Sequence, residues 1–143
     1  MTDIASRCGI AGRVHFRGAF ADAELGTLLA TAAVGAFPSR GEGFGLALLE
    51  AMAAGLPLAA RGIPAHEELL GPDLADLIVD FSQPDEAARA IRSLLVAPAE
   101  RSEDLSRRLR ARASGYDVSR LTTQMDGLYR GFGLSTDGRR SHR

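Results

Sequence analysis

"VGAFPSRGEGFGLALLEAMAAGLPLAAR", Val34 to Arg61, reads as strand, loop, helix and strand in unbroken succession. Val34 to Ser39 is a short apolar run stopped by Pro38. Apolar and small residues continue through a helix. Gly55 fits the position just past its end, with Pro57 close behind. Leu56 to Arg61 is a second apolar run of strand length. Two strands joined through a helix pair in parallel, so this one stretch points to an α/β fold.

The flanks extend the alternation. Upstream, "RVHFRG", Arg13 to Gly18, alternates around Val14 and Phe16 and reads as a strand closed by Gly18. Asp22 to Ala33 carries Leu25, Leu28, Leu29 and Ala32 at helical spacing, with Asp22 as the expected N-cap. Downstream, "IPAHEELLG" is a loop running into a short helix that Gly71 ends. Ala75 to Phe81 reads as another strand. Pro84 then opens a helix with Ala87, Ile91, Leu94 and Leu95 on one face. Charged helices are expected over Arg101 to Ala113 and Ser119 to Tyr129. The closing "STDGRRSHR" reads as a disordered basic tail.

Together these give a Rossmann-like parallel sheet of about four strands with flanking helices. One domain is expected over residues 1–130, with residues 131–143 as the tail. In such sheets ligands bind beyond the carboxyl ends of the strands, which is where the loop Ser39 to Gly45 lies.

Composition removes several function classes. The 143 residues carry a net charge of −1, so no global field points to nucleic acid. One cysteine, Cys8, excludes an internal disulfide framework and a cysteine-rich metal site, and fits a reducing cytoplasm. No apolar run reaches the roughly 18 residues of a spanning helix. The first ten residues lack a secretory pattern. The chain contains no lysine, and its Ala, Arg and Gly content carries no functional reading.

The chemistry concentrates in "SRGEGFG" and the helix after it. Gly41, Gly43 and Gly45 let backbone approach a ligand closely. The first N–H groups of a helix lack internal partners and favour an anion, with phosphate the natural guest. By themselves the glycines fit a tight turn equally well. Their spacing is neither the dinucleotide fingerprint nor a P-loop. Glu42 lies ahead of the helix and Glu50 about two turns in, so their backbones are roughly 12 Å apart. That is too far to share a proton or a metal, and it suits two ends of an elongated ligand. From Gly43 to Ala60, Glu50 is the single charge among Gly, Ala, Leu, Met, Phe and Pro. With both helix faces expected to be covered, Glu50 is expected to face inward, where adjacent hydroxyls such as a ribose diol would satisfy its oxygens. The plainer alternatives are a surface glutamate at 50 and a dipole-complementing charge at 42.

The run Pro38, Ser39, Glu42 to Gly45, Glu50 to Ala53, Gly55 and Pro57 resembles the nucleotide-sugar-binding half of retaining GT-B glycosyltransferases of family 4, or group 1. That family carries E-x7-E with its first Glu in E-G-F-G, preceded by Pro-Ser and followed by E-A-M-A-x-G-x-P. The likeness spans about Val14 to Leu95. It implies the C-terminal part of a GT-B fold and transfer of sugar from a nucleotide-diphosphate sugar to an acceptor with retention. It implies Glu42 at the donor sugar and reacting centre, as the catalytic residue. Glu50 would bind the ribose hydroxyls. Backbone around Gly43, Phe44, Gly45 and Leu46 would hold sugar and diphosphate. No metal or other cofactor is implied, since helix dipole and basic side chains stabilise the leaving group.

Against that family the chain starts at what resembles the helix before the fourth strand, so about half of the donor domain is expected, in a truncated or split enzyme. Expected partners are a nucleotide sugar and either an N-terminal GT-B domain or a second copy, which an unpaired sheet edge favours. The alternative is a non-catalytic nucleotide-sugar-binding module or an inactive remnant. Arg61 could meet a phosphate but is more simply a solvated arginine. His66 lacks metal-ligand neighbours and reads as a structural loop residue. The basic helix, with Leu105 and Leu109 on one side, allows at most peripheral membrane contact and reads as a solvated helix.

Overall fold

A computed structural model of the chain describes residues 2–18 and 21–116, with the side chains of residues 2, 22 and 23 left aside. The expected helix at Ser119 to Tyr129 and the tail lie outside the described residues. The chain divides into two compact units between Thr31 and Ala32.

The first unit is helical. Helix α1 spans Thr2–Arg7, a 3-10 turn follows at Ala11–Arg13, and α2 spans Asp22–Thr31. Helix α2 starts one residue earlier than an Asp22 cap would give. The Glu24 carboxylate reaches back to accept the Ala21 N–H at 3.0 Å, half of a capping box. The strand expected over Arg13 to Gly18 is not formed. Val14 is extended, yet residues 14–18 have no ladder partner among the described residues, and Phe16 stays half exposed. Alternation marks two faces of a segment but cannot supply the neighbour whose N–H and C=O groups make it a strand.

The second unit holds the sheet. Strands β1 (Gly35–Phe37), β2 (Leu58–Arg61) and β3 (Ile78–Val79) lie in the order β1-β2-β3, all parallel. Gly35 sits opposite Leu58 and Phe37 opposite Ala60, while Ala60 and Arg61 sit opposite Ile78 and Val79. The α/β expectation therefore holds, with three paired strands. The central strand β2 buries Leu58, Ala59 and Ala60, as a strand covered on both faces must. Its alanines admit helices close to the sheet.

Helix α3 (Leu46–Ala54) joins β1 to β2 and buries Leu48, Ala51 and Met52. Helix α4 (Pro64–Leu70) follows β2, opened by Pro64 in its first turn and stopped at Gly71. A 3-10 segment at Pro72–Leu77 then leads into β3. The strand expected over Ala75 to Phe81 thus shrinks to two residues. Leu74 and Leu77 are both buried three residues apart, a spacing that one 3-10 turn brings to one side. Helix α5 (Pro84–Leu95) covers a sheet face, with Ala87, Ala90, Ile91 and Leu94 packed around Ala59 and Val79.

Helix α6 (Ala99–Ala113) packs against α3 and α4 and buries Leu105, Leu109 and Ala113. A last 3-10 turn occupies Ser114–Tyr116. As expected, α6 is a largely solvated helix packed by Leu105 and Leu109, and three of its exposed arginines also bond backbone carbonyls. Arg110 donates to the Ala54 carbonyl at the end of α3 (3.2 Å). Arg112 donates to the Leu69 and Glu68 carbonyls at the end of α4 (2.8 and 2.7 Å). Arg108 donates to the Asp73 carbonyl. Helix ends leave carbonyls unpaired, and cations there also complement the dipole. These three side chains are held to backbone carbonyls.

Candidate functional site

Because all three strands are parallel, their exits Pro38, Gly62 and Asp80 lie along one edge of the sheet. Arg61 links these exits. Its Nε donates to the Pro38 carbonyl at 2.9 Å, and its guanidinium lies 5.9 Å from the Phe81 ring centre. It is half-buried and holds the edge together. At the third exit Asp80 Oδ1 accepts from the Ser82 hydroxyl (2.6 Å) and the Ser82 N–H (2.8 Å). Those bonds hold the Asp80 carboxyl below the ordinary aspartate range, with the Arg61 charge adding to the effect.

The loop of residues 38–45 ends at Gly45, the N-cap of α3. Gly45 is buried at φ 85°, in the left-handed region. A Cβ there would lie 3.0 Å from Leu69 Cδ1, 3.4 Å from Glu42 Oε2 and 3.5 Å from His66 Cδ2. Gly45 is thus required twice, by backbone and by crowding. By contrast, a Cβ at Gly41 or Gly43 would meet nothing within 4 Å. Packing among the described residues gives no reason for glycine at those two positions.

No side chain caps α3. Among the described residues its first N–H groups therefore have no side-chain acceptor, and Glu42 lies in the loop beside them. The Glu42 side chain is 23% exposed, and its Oε2 lies 3.5 Å from Nε2 of the wholly buried His66. Phe44 is partly exposed and meets Tyr116 edge-on, with ring centres 6.1 Å apart. Tyr116 is itself held by its hydroxyl, which donates to the Glu68 carbonyl at 3.0 Å, and by Arg112 over its ring.

Glu50 departs from expectation. It is exposed, on a face of α3 that also exposes Leu46, Ala47 and Ala53. These residues share a face by helical spacing, and nothing among the described residues covers it. Glu50 therefore escapes the cost of burial through water rather than through an internal partner. No protein group among the described residues pairs with its carboxylate.

The structure thus brings Glu42, Gly43, Phe44, Gly45 and Leu46 together at one helix start, with Glu50 further along the same helix. It adds His66 and Tyr116, which the sequence did not single out for this site. His66 is on α4, not in a loop. The pattern "GIPAHEELL" marks it only as one polar residue entering a helix. Among the described residues no three His, Cys, Asp or Glu side chains gather as a metal centre. No described helix is long and apolar enough to cross a membrane.

Comparison with known proteins fits this geometry. The family described as glycosyl transferases group 1 matches residues 1–113. The chain is 38% identical over 98 residues to an MMP alpha-(1->4)-mannosyltransferase of Mycolicibacterium hassiacum, covering 68% of this chain and 24% of that protein. It is 32% identical over 127 residues to a D-inositol 3-phosphate glycosyltransferase of Mycobacterium avium, covering 89% of this chain and 30% of that protein. It is 36% identical over 100 residues to a GDP-mannose-dependent alpha-(1-6)-phosphatidylinositol monomannoside mannosyltransferase of Mycobacterium tuberculosis, covering 65% and 26%. The chain therefore spans about a quarter to a third of the length of these relatives. With the parallel sheet, the glycine-framed helix start and its two glutamates in the matched region, this chain belongs to the group 1 glycosyltransferases.

Proposed function

We infer that this chain supplies the donor site of a retaining glycosyltransferase, which moves a sugar from a nucleotide-diphosphate sugar to an acceptor. The observation that carries the reading is the uncapped start of α3 behind Gly45, with Glu42 at its mouth. A diphosphate at that start gains the unpaired N–H groups and the helix dipole, which offset the charge that develops on the leaving group. Glu42 faces the donor sugar and its reacting carbon. The open backbone at Gly43 lets sugar and phosphate approach closely. Glu50 lies along the same helix, and its two unpaired oxygens suit the ribose hydroxyls. No cofactor is needed in this scheme. The free thiol of Cys8 fits a cytoplasmic site of action.

Transfer requires an acceptor positioned against the donor. We assign that task to a further GT-B domain or a second copy. The name of one relative, the GDP-mannose-dependent mannosyltransferase, makes GDP-mannose a first donor to try. The test is a thermal-shift panel of UDP-, GDP- and ADP-sugars with the 143-residue chain. One nucleotide class should raise the melting temperature, and Glu50→Ala should abolish the rise. No shift with any nucleotide overturns the reading. For the enzyme, an α-linked donor should give an α-linked product by NMR, and a β-linked product overturns retention.

A further inference from the structure

His66 is the wholly buried polar side chain of this edge. Its Nδ1 lies 2.9 Å from the Arg61 carbonyl. A carbonyl only accepts, so Nδ1 carries the hydrogen and donates it. The other ring nitrogen, Nε2, is buried without a hydrogen-bond partner among the described residues. Yet Glu42 Oε2 lies 3.5 Å from it, within ion-pair range but short of a formed hydrogen bond. In a neutral ring with Nδ1–H, Nε2 turns a lone pair toward that oxygen. Acceptor then faces acceptor, an arrangement that leaves a buried nitrogen unsatisfied. One hydrogen on Nε2 turns the same contact into a charge-assisted bond. No other carboxylate among the described residues lies within 4.0 Å of the ring nitrogens. Gly45 and Leu69, gathered at the same point, carry no charge. On the same helix Glu67 turns toward Gly62.

We propose that His66 is a positioning residue for Glu42: an Nε2–H directed at Oε2 fixes the carboxylate and leaves its exposed part aimed at the mouth of α3. The ring never reaches the ligand, because it is enclosed and Glu42 stands in front of it. Arg61 contributes through its carbonyl, which accepts the Nδ1–H and holds the ring with Nε2 toward Glu42. The role in donor binding rests on the donor-site reading above. The ion pair itself does not.

Two measurements on the full 143-residue chain test this. The first is nitrogen-15 NMR of labelled histidine near neutral pH, with His66 assigned through His66→Asn. Both ring nitrogens of His66 should carry hydrogen, and Nε2 should lose its hydrogen in Glu42→Gln, where the amide can donate instead. A bare Nε2 in the wild type, unchanged in Glu42→Gln, overturns the proposal whether or not the chain binds any nucleotide. The second compares affinity for the nucleotide sugar with affinity for its nucleoside diphosphate. His66→Asn keeps a donor for the Arg61 carbonyl and cannot reach Glu42. It should weaken the nucleotide sugar roughly tenfold while leaving the diphosphate unchanged. His66→Gln, whose amide can reach Glu42, should restore part of the loss. Equal weakening of both ligands marks a merely structural histidine and overturns the positioning role. If the wild type binds no nucleotide sugar, the donor-site reading fails and the NMR result still decides the ion pair.

Discussion

At the scale of single residues, the loop before α3 separates what the fold needs from what a ligand needs. Gly45→Ala forces a side chain into the left-handed region and onto Leu69. It should cost about 1–2 kcal/mol or more in urea unfolding. Gly43→Ala meets open space, so stability should stay within about 0.5 kcal/mol while nucleotide-sugar affinity falls. Glu50→Ala, on an exposed face, should likewise be nearly neutral to stability and costly to nucleotide binding, read by chemical unfolding beside calorimetry. The glycine-framed helix start was legible in the sequence as a loop running into a helix, whereas the expectation for Glu42 came from the family resemblance. The exposure of Glu50 was not legible. Spacing tells which residues share a helix face, not whether anything covers that face. His66 was hidden for another reason: its partner Glu42 lies a helix and a strand away, and only the parallel topology brings both to one edge.

At the scale of elements, α6 does more than bury Leu105 and Leu109. Arg112 satisfies two carbonyls at the end of α4 and supports Tyr116, which in turn meets Phe44. Arg112→Ala should destabilise the chain by about 1–3 kcal/mol in urea unfolding. Arg112→Lys should recover little, since an ammonium lacks the planar fork that spans both carbonyls. The turn after β3 has its own pH dependence. The Asp80 carboxyl titrates below its ordinary value because Ser82 binds the charged form. Its contribution is therefore present above the unfolded pKa and is lost as pH falls through the lower folded value. Proton exchange at the Ser82 amide should quicken across that acidic window relative to its neighbours, and Asp80→Asn should remove the transition. Most element positions were readable from periodicity and from Pro and Gly stops. Three were not: residues 13–18, the two ends of β3, and the start of α4, which takes in His66. There the apolar pattern fixes which side chains are buried or faced together, while hydrogen-bond partners decide the backbone.

At the scale of the whole molecule, the three parallel strands end along one carboxyl edge, and β1 leaves its outer side unpaired among the described residues. The chain also spans about a quarter to a third of its relatives' length. Transfer is accordingly proposed for an assembly, and donor binding for this chain. A ligand that binds only the folded chain adds about 2.7 kcal/mol of stability at a hundredfold excess over its Kd, enough to see by melting. The most direct test of the donor-site account is calorimetric titration of the chain with GDP-mannose and with the UDP- and ADP-sugars, repeated on Glu50→Ala. The account predicts saturable binding of one nucleotide class that Glu50→Ala abolishes. Absence of binding by every nucleotide sugar, or binding unchanged in Glu50→Ala, would contradict it.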